Sequence, residues 1–262
     1  MKLINNLATF ESGKAGNQAI IFIHGFPFDH RMWVNQTTAL EDNYHCIAYD
    51  IRGLGQSSPG DGQFTMEMFA DDLFAITEKL KLNRPVICGL SMGGYIALRA
   101  IEKDQSKFRG IILCDTKAEA DDNEGKLKRA AGVKRINEEG VKPYIADFLP
   151  TCFSDISMTE MPDVYEVILQ RSLGLSAAGI KGCLIAMAGR TDTSQFLSKI
   201  EIPALVLCGS NDKFVTPDAM RKMAEKIKNA EFGVAPRAGH ISPIENPEFV
   251  NDMIKGFLSR LG

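Results

Sequence analysis

The sequence is poor in the residues that metal and redox chemistry require. Four histidines are spread over 262 residues, no H-E-x-x-H spacing occurs, and no two of the six cysteines stand as C-x-x-C. No metal and no cofactor are therefore expected. Charge of either sign in excess is also missing: 30 basic against 33 acidic residues leave −3, without a basic stripe or polybasic run. That speaks against nucleic acid or an anionic membrane as partner. No apolar run approaches the roughly 20 residues of a membrane span. The opening Met1-Lys2-Leu3-Ile4-Asn5-Asn6 turns polar too early for a signal-peptide core, so a cytoplasmic protein is expected. No coiled-coil heptad or interaction tail is visible, which leaves the oligomeric state open.

Six cysteines in a chain of this length do not make a disulfide scaffold. Cys46, Cys88, Cys114 and Cys208 fall in or beside apolar β-like runs and read as small buried hydrophobes. For Cys152 and Cys183 a lid-locking pair would need a proximity that the sequence does not give.

Against this background Gly89-Leu90-Ser91-Met92-Gly93 stands out. It lies between the β-prone Pro85-Val86-Ile87-Cys88 and the helix-forming Gly94 to Ile101. A G-x-S-x-G turn from strand to helix holds its serine in a strained conformation, with the hydroxyl clear of the sheet. A side chain at Gly89 or Gly93 is expected to clash. The pattern alone is weak, since glycine and serine are common in turns.

A serine hydroxyl is unreactive near neutral pH unless a base takes its proton. After such a turn the acid and then the histidine follow in chain order. His24, His30 and His45 precede Ser91; His240, in Ala238-Gly239-His240-Ile241-Ser242-Pro243, follows it. The glycine and proline punctuation makes that stretch a loop before a closing helix from about Pro247 to Leu261. Asp212, in the loop after the apolar Ala204 to Cys208, fits the acid. Asp115, after Ile111-Ile112-Leu113-Cys114, is its lower-ranked rival. Two backbone amides suit an oxyanion hole: Met92, the residue after the nucleophile, and Phe26 in His24-Gly25-Phe26-Pro27.

β-like and helix-like segments alternate through residue 115 and again after 198, the pattern of a mostly parallel sheet with helices on both faces. Residues 116–198 change character: charged runs, helical spacing, few β-branched clusters. Breaks at Gly140, Pro143, Pro150, Pro162, Gly174 and Gly189 divide them into about four helices. The organisation expected is a core of residues 1–115 and 199–262 with a helical cap, 116–198, inserted over the strand ends. Met158, Met161, Phe148, Phe153, Leu149 and Leu173 are apolar candidates for lining the cleft, or for packing cap on core. Arg190 is a candidate for recognising an anionic substrate, or for a hinge ion pair with Asp192.

With these residues in place, the chain resembles the α/β-hydrolase fold family over nearly its full length. The motifs that carry the resemblance are His24-Gly25-Phe26-Pro27 with Trp33 beyond it, Asp50-Ile51-Arg52-Gly53-Leu54-Gly55-Gln56-Ser57, the turn at Ser91, the acid loop at Asp212, and Gly239-His240. Within that family it is similar to small esterases, 3-oxoadipate enol-lactonases and cofactor-free perhydrolases. Haloalkane dehalogenases of this fold carry aspartate where Ser91 stands. The resemblance implies a catalytic triad of Ser91, Asp212 and His240 under a helical cap, oxyanion donors at Phe26 and Met92, and Phe26 against the substrate. It also implies that Asp50 and Arg52 brace a turn. The activity expected is serine hydrolysis of a small-molecule carboxylic ester or lactone. The alternatives are hydrolysis of a carbon-carbon bond in a diketone-type substrate and slow turnover by a ligand receptor on the same fold.

Overall fold

Short apolar runs bounded by glycine, proline and polar residues build the centre of the molecule. In the computed structural model, which describes residues 1–261, the strands β1 (Lys2–Ile4) and β2 (Leu7–Ser12) form an antiparallel edge. β3 (Ala19–Ile23), β4 (His45–Tyr49), β5 (Val86–Leu90), β6 (Gly110–Cys114), β7 (Ala204–Gly209) and β8 (Ala230–Ala235) run parallel to one another. The order across the sheet is β1-β2-β4-β3-β5-β6-β7-β8. Every residue of β3 to β7 is buried, as parallel strands with both faces covered must be.

The cover comes from helices on the two faces. α1 (Val34–Leu40) packs with α10 (Ser242–Glu245) and α11 (Pro247–Arg260), while α2 (Met66–Lys79) packs with α3 (Met92–Asp104). α9 (Pro217–Lys226) packs on β7 and β8. Among the described residues no helix is long and apolar enough to cross a membrane.

Between β6 and β7 the chain carries helices and loops but, among the described residues, no strand: α4 (Asn123–Glu139), α5 (Val141–Cys152), α6 (Asp155–Glu160), α7 (Pro162–Leu173) and α8 (Ala177–Ala188), then a 3-10 turn at Ser194–Lys199. There are five α-helices here, where about four are expected. Pro143 lies in the first turn of α5, where its missing N–H needs no intrahelical partner, so it breaks nothing. Pro150 lies inside the last turn of α5. The short α6 carries no glycine or proline and starts from Ser154, whose hydroxyl accepts the Ser157 amide at 3.0 Å. α8 is nearly all small or apolar and presses its backbone on the core: a Cβ added at Gly179 would stand 1.8 Å from the Gly53 carbonyl oxygen. All six cysteines are buried free thiols, so Cys152 and Cys183 form no bond.

In this strand order the chain leaves β3 toward β4 on one side and returns to β5 on the other. The crevice at the carboxyl ends of β3 and β5 is the topological switch point where open α/β sheets bind ligands. Phe26 and Ser91 follow those two strands.

Candidate active site

Ser91 joins β5 directly to α3 with φ 51° and ψ −112°, a conformation that costs a non-glycine residue about 1–3 kcal/mol. Its neighbours hold it there. The Ser91 amide donates to the Cys114 carbonyl at 2.9 Å, extending the sheet by one bond, and the Thr116 hydroxyl donates to the Ser91 carbonyl at 2.8 Å. The glycines on either side are steric necessities: a Cβ at Gly89 would lie 2.3 Å from the Gly93 oxygen, and one at Gly93 would lie 2.1 Å from the Ile23 oxygen. Backbones this close leave no room for a methyl group.

The Ser91 Oγ is 2.8 Å from Nε2 of His240, and the His240 Nδ1 is 2.8 Å from Oδ2 of Asp212. The other Asp212 oxygen, Oδ1, accepts the amides of Phe214 at 2.7 Å and Val215 at 3.1 Å, which fixes the carboxylate plane. With a carboxylate on Nδ1, the imidazole keeps its proton there and offers Nε2 as acceptor for the serine proton. His240 is itself pinned: its amide donates to the Cys152 carbonyl at 2.9 Å, and Glu245 Oε1 accepts the amide of Gly239 at 2.8 Å. Phe214 lies beside the imidazole, ring centroids 4.8 Å apart.

Gly25 lets the loop after β3 pass against the end of β5, since a Cβ there would sit 2.6 Å from the Leu90 Cδ2 and 3.3 Å from the Leu90 carbonyl oxygen. The amides of Phe26 and Met92 donate to no protein acceptor among the described residues. His24 braces this loop: its Nε2 accepts the Ile51 amide at 2.8 Å, so Nδ1 donates to the Gly25 carbonyl at 2.8 Å. Burial lowers the His24 pKa, against the pull of the Asp50 carboxylate.

Asp115, the rival acid, does not touch His240. It is fully buried, with Oδ1 accepting the Gly209 amide at 2.7 Å and Oδ2 2.5 Å from the Ser242 hydroxyl. Burial, and then the neighbouring Asp212, raise its pKa well above the ordinary carboxylate value. Asp50 braces the turn after β4 by accepting the amides of Gln56 at 2.7 Å and His30 at 2.8 Å, and Arg52 pairs with Asp72. Asp29, His30 and Asp50 are the one group among the described residues whose ligand-type atoms could gather on a metal, lying within 4.8 Å. Each is already engaged: Asp29 with Arg31, and His30 Nδ1 with Asp50 at 2.7 Å.

Ser91 and His240 open into a cavity of about 70 Å³ bounded by Phe26, Tyr95, Phe148 and Phe214. Phe148 and Phe214 are shared with a wider outer cleft of about 480 Å³. Of the six apolar candidates from the cap, Phe148 alone lines the inner cavity; Leu149 and Phe153 are buried in the core. Phe26 does face the cavity, its ring 5.5 Å from that of Phe148.

Arg190 requires a correction. It does not pair with Asp192, whose Oδ1 accepts the Ser194 amide, and it is not among the residues lining the Ser91 cavity. It is buried, donates to Asp121 at 2.9 Å and to the carbonyls of Met187 and Glu119, and lies over the Tyr95 ring at 4.1 Å. Its roles are to anchor the end of α8 and to back Tyr95. The cations that do line the cavity are Lys117 and Arg129, which stand in the charged runs of residues 116–198 and carry no role readable from the sequence. Glu245 was missed as well. No spacing signal marks either kind of residue, because their importance arises from contacts between distant segments.

A mostly parallel sheet in this order, with a serine at the sharp turn after β5, defines the α/β-hydrolase fold. The chain belongs to the alpha/beta hydrolase family, which matches residues 20–253. It is similar to 3-oxoadipate enol-lactonase 2 of Acinetobacter baylyi, 28% identical over 97% of this chain and 93% of that protein. A thermophilic esterase from Thermogutta terrifontis, solved with malate bound, superposes with a TM-score of 0.93 at 35% identity, covering 97% of this chain and 93% of that one. The enol-lactonase from Burkholderia xenovorans LB400 gives a TM-score of 0.91 at 26% identity over 98% of each chain.

Proposed function

We propose that this protein is a serine hydrolase that cleaves a small-molecule carboxylic ester or lactone through an acyl-serine intermediate. The observation that carries this reading is the continuous hydrogen-bonded path from Ser91 Oγ through His240 to Asp212, at 2.8 Å for each step. Similarity to proteins named as esterases and enol-lactonases supports the same bond class.

In this mechanism Ser91 Oγ attacks the carbonyl carbon while its proton passes to Nε2 of His240. The Asp212 carboxylate holds the other ring nitrogen and stabilises the imidazolium. The oxyanion of the tetrahedral intermediate accepts from the amides of Phe26 and Met92, the latter at the N-terminus of α3, where the helix dipole favours negative charge. His240 returns the proton to the leaving alcohol or enol oxygen, the carbonyl re-forms, and an acyl group remains on Ser91. A water deprotonated by His240 then releases the acid and restores the serine.

Helices α4 to α8, within residues 116–198, act as a cap that limits what reaches Ser91, over a core of residues 1–115 and 199–262. Phe148 from α5 meeting Phe214 from the acid loop, with ring centroids 5.9 Å apart, supports that role. Six unbonded cysteines accord with work in the cytoplasm. The test is hydrolysis of 4-nitrophenyl acetate and butyrate, a γ-lactone and an enol-lactone by wild type beside Ser91→Ala. Turnover lost with Ser91 supports the reading. Equal turnover by a folded Ser91→Ala refutes it, and tight binding with at most a single turnover would turn the reading toward a receptor.

A further inference from the structure

The inner cavity has a charge imbalance. Three cations converge on one carboxylate: Arg190 Nη1 at 2.9 Å, Arg129 Nε at 3.1 Å and Lys117 Nζ at 3.6 Å from oxygens of Asp121. Asp121 is 5% exposed and fully committed to them. Burial pulls its pKa upward, but Arg129 and Arg190 together hold it below the ordinary value, so it stays ionised. Of the three, Lys117 and Arg129 line the cavity, and Asp121 is the one carboxylate with which they form ion pairs among the described residues. No carboxylate lines the cavity itself.

The donors of two of these cations are not used up. Arg129 spends only Nε on Asp121; its two terminal nitrogens make no hydrogen bond among the described residues. Lys117 Nζ makes no hydrogen bond among the described residues, and its ion pair with Asp121 is 3.6 Å long. Both side chains are partly open, 23% and 38% exposed, and both line the cavity that contains Ser91. Arg129 also borders the outer cleft, so it stands where the two spaces join. A planar guanidinium end with two free nitrogens matches the two oxygens of a carboxylate, and an ammonium beside it adds a second charge-assisted bond. Asp121 keeps the pair oriented without neutralising it.

We infer that Arg129 and Lys117 form a carboxylate-binding subsite, and that the substrate is an ester or lactone carrying a free carboxylate a few bonds from the reacting carbonyl. This deepens the hydrolase reading and rests on it for the word substrate. The small inner cavity keeps the spacing short, and the aromatic wall of Phe26, Phe148 and Phe214 suits the methylenes between the two groups.

The test compares mono-4-nitrophenyl adipate with 4-nitrophenyl hexanoate, which differ in a terminal carboxylate against a methyl. In wild type at low salt the ratio of kcat/KM, adipate ester over hexanoate ester, should exceed one and fall as salt is added. In Arg129→Met and in Lys117→Met that ratio should drop about tenfold or more, chiefly through KM of the adipate ester, as expected for loss of a charge-assisted contact. Arg129→Lys, which keeps the charge, should retain a larger share of the preference. Melting curves confirm that each variant is folded, and Lys117, with no hydrogen bond to lose, is the variant least able to disturb the fold. A wild-type preference for the hexanoate ester, or a ratio unmoved in both Met variants, overturns the inference. If wild type hydrolyses no ester at all, the hydrolase reading fails, and calorimetry with adipate decides the subsite separately. Adipate binding that Arg129→Met abolishes then upholds it, and equal binding of adipate and adipamide refutes it.

Discussion

The carboxylate of Glu245 accepts the backbone N–H of Ser154 at 2.8 Å, joining the turn between α5 and α6 to the loop that carries His240. Its other oxygen takes the amides of Gly239 at 2.8 Å and Ile241 at 3.3 Å, the residues on either side of the histidine. Glu245→Ala should therefore loosen both at once. The expected result is a stability loss of about 2–3 kcal/mol, from amides left without a charged acceptor, with kcat reduced and KM little changed. Chemical denaturation and steady-state kinetics check it; full kcat in a destabilised variant would show that Glu245 supports the fold alone.

Asp212→Asn tests the orientation of His240. An amide in this place can offer its NH2 to Nδ1, which then carries no proton, and Nε2 becomes a donor unable to take the serine proton. Turnover should fall by up to about 10⁴-fold with little change in melting temperature. A loss below tenfold would mean that another group orients the imidazole.

Gly93→Ala tests the close packing behind the serine. Its Cβ would stand 2.1 Å from a backbone oxygen of β3, and neither partner can rotate away. We expect a destabilisation of at least about 2 kcal/mol, or failure to accumulate as folded protein. A variant with wild-type melting and activity would mean that β3 and α3 can separate.

Asp115 predicts a dependence of stability on pH. Its pKa is raised in the folded protein, so its carboxylate costs nothing below the unfolded value of about 3.9 and destabilises progressively as pH rises from there toward the folded value. Asp115→Asn can keep the contacts to Gly209 and Ser242 while removing the charge. The variant's melting temperature should gain on wild type between pH 4 and pH 8. A difference that is constant across that range would show that Asp115 does not titrate differently in the folded state.

The strands and the candidate Ser-His-Asp set could be read from the sequence because each has a local signature. β3, β5, β6 and β7 are apolar runs ended by glycine or polar residues, and Ser91, Asp212 and His240 each sit just beyond a strand. Arg190 misled because adjacency in sequence suggested Asp192 as partner, while folding brings Asp121 to its guanidinium from 69 positions away. Lys117, Arg129 and Glu245 had no readable role for the same reason. Their surroundings come from segments that meet only in three dimensions.

The backbone of Ser91 has a consequence for heat tolerance. At φ 51° and ψ −112° a glycine would sit without penalty, whereas any residue with a Cβ is forced. Ser91→Gly should therefore match or exceed Ser91→Ala in melting temperature, reversing the usual order in which alanine is the more stable by about 0.5–1 kcal/mol. Selection for thermal endurance alone would drive this position to glycine; the nucleophilic role proposed for Ser91 would be what holds a serine in it.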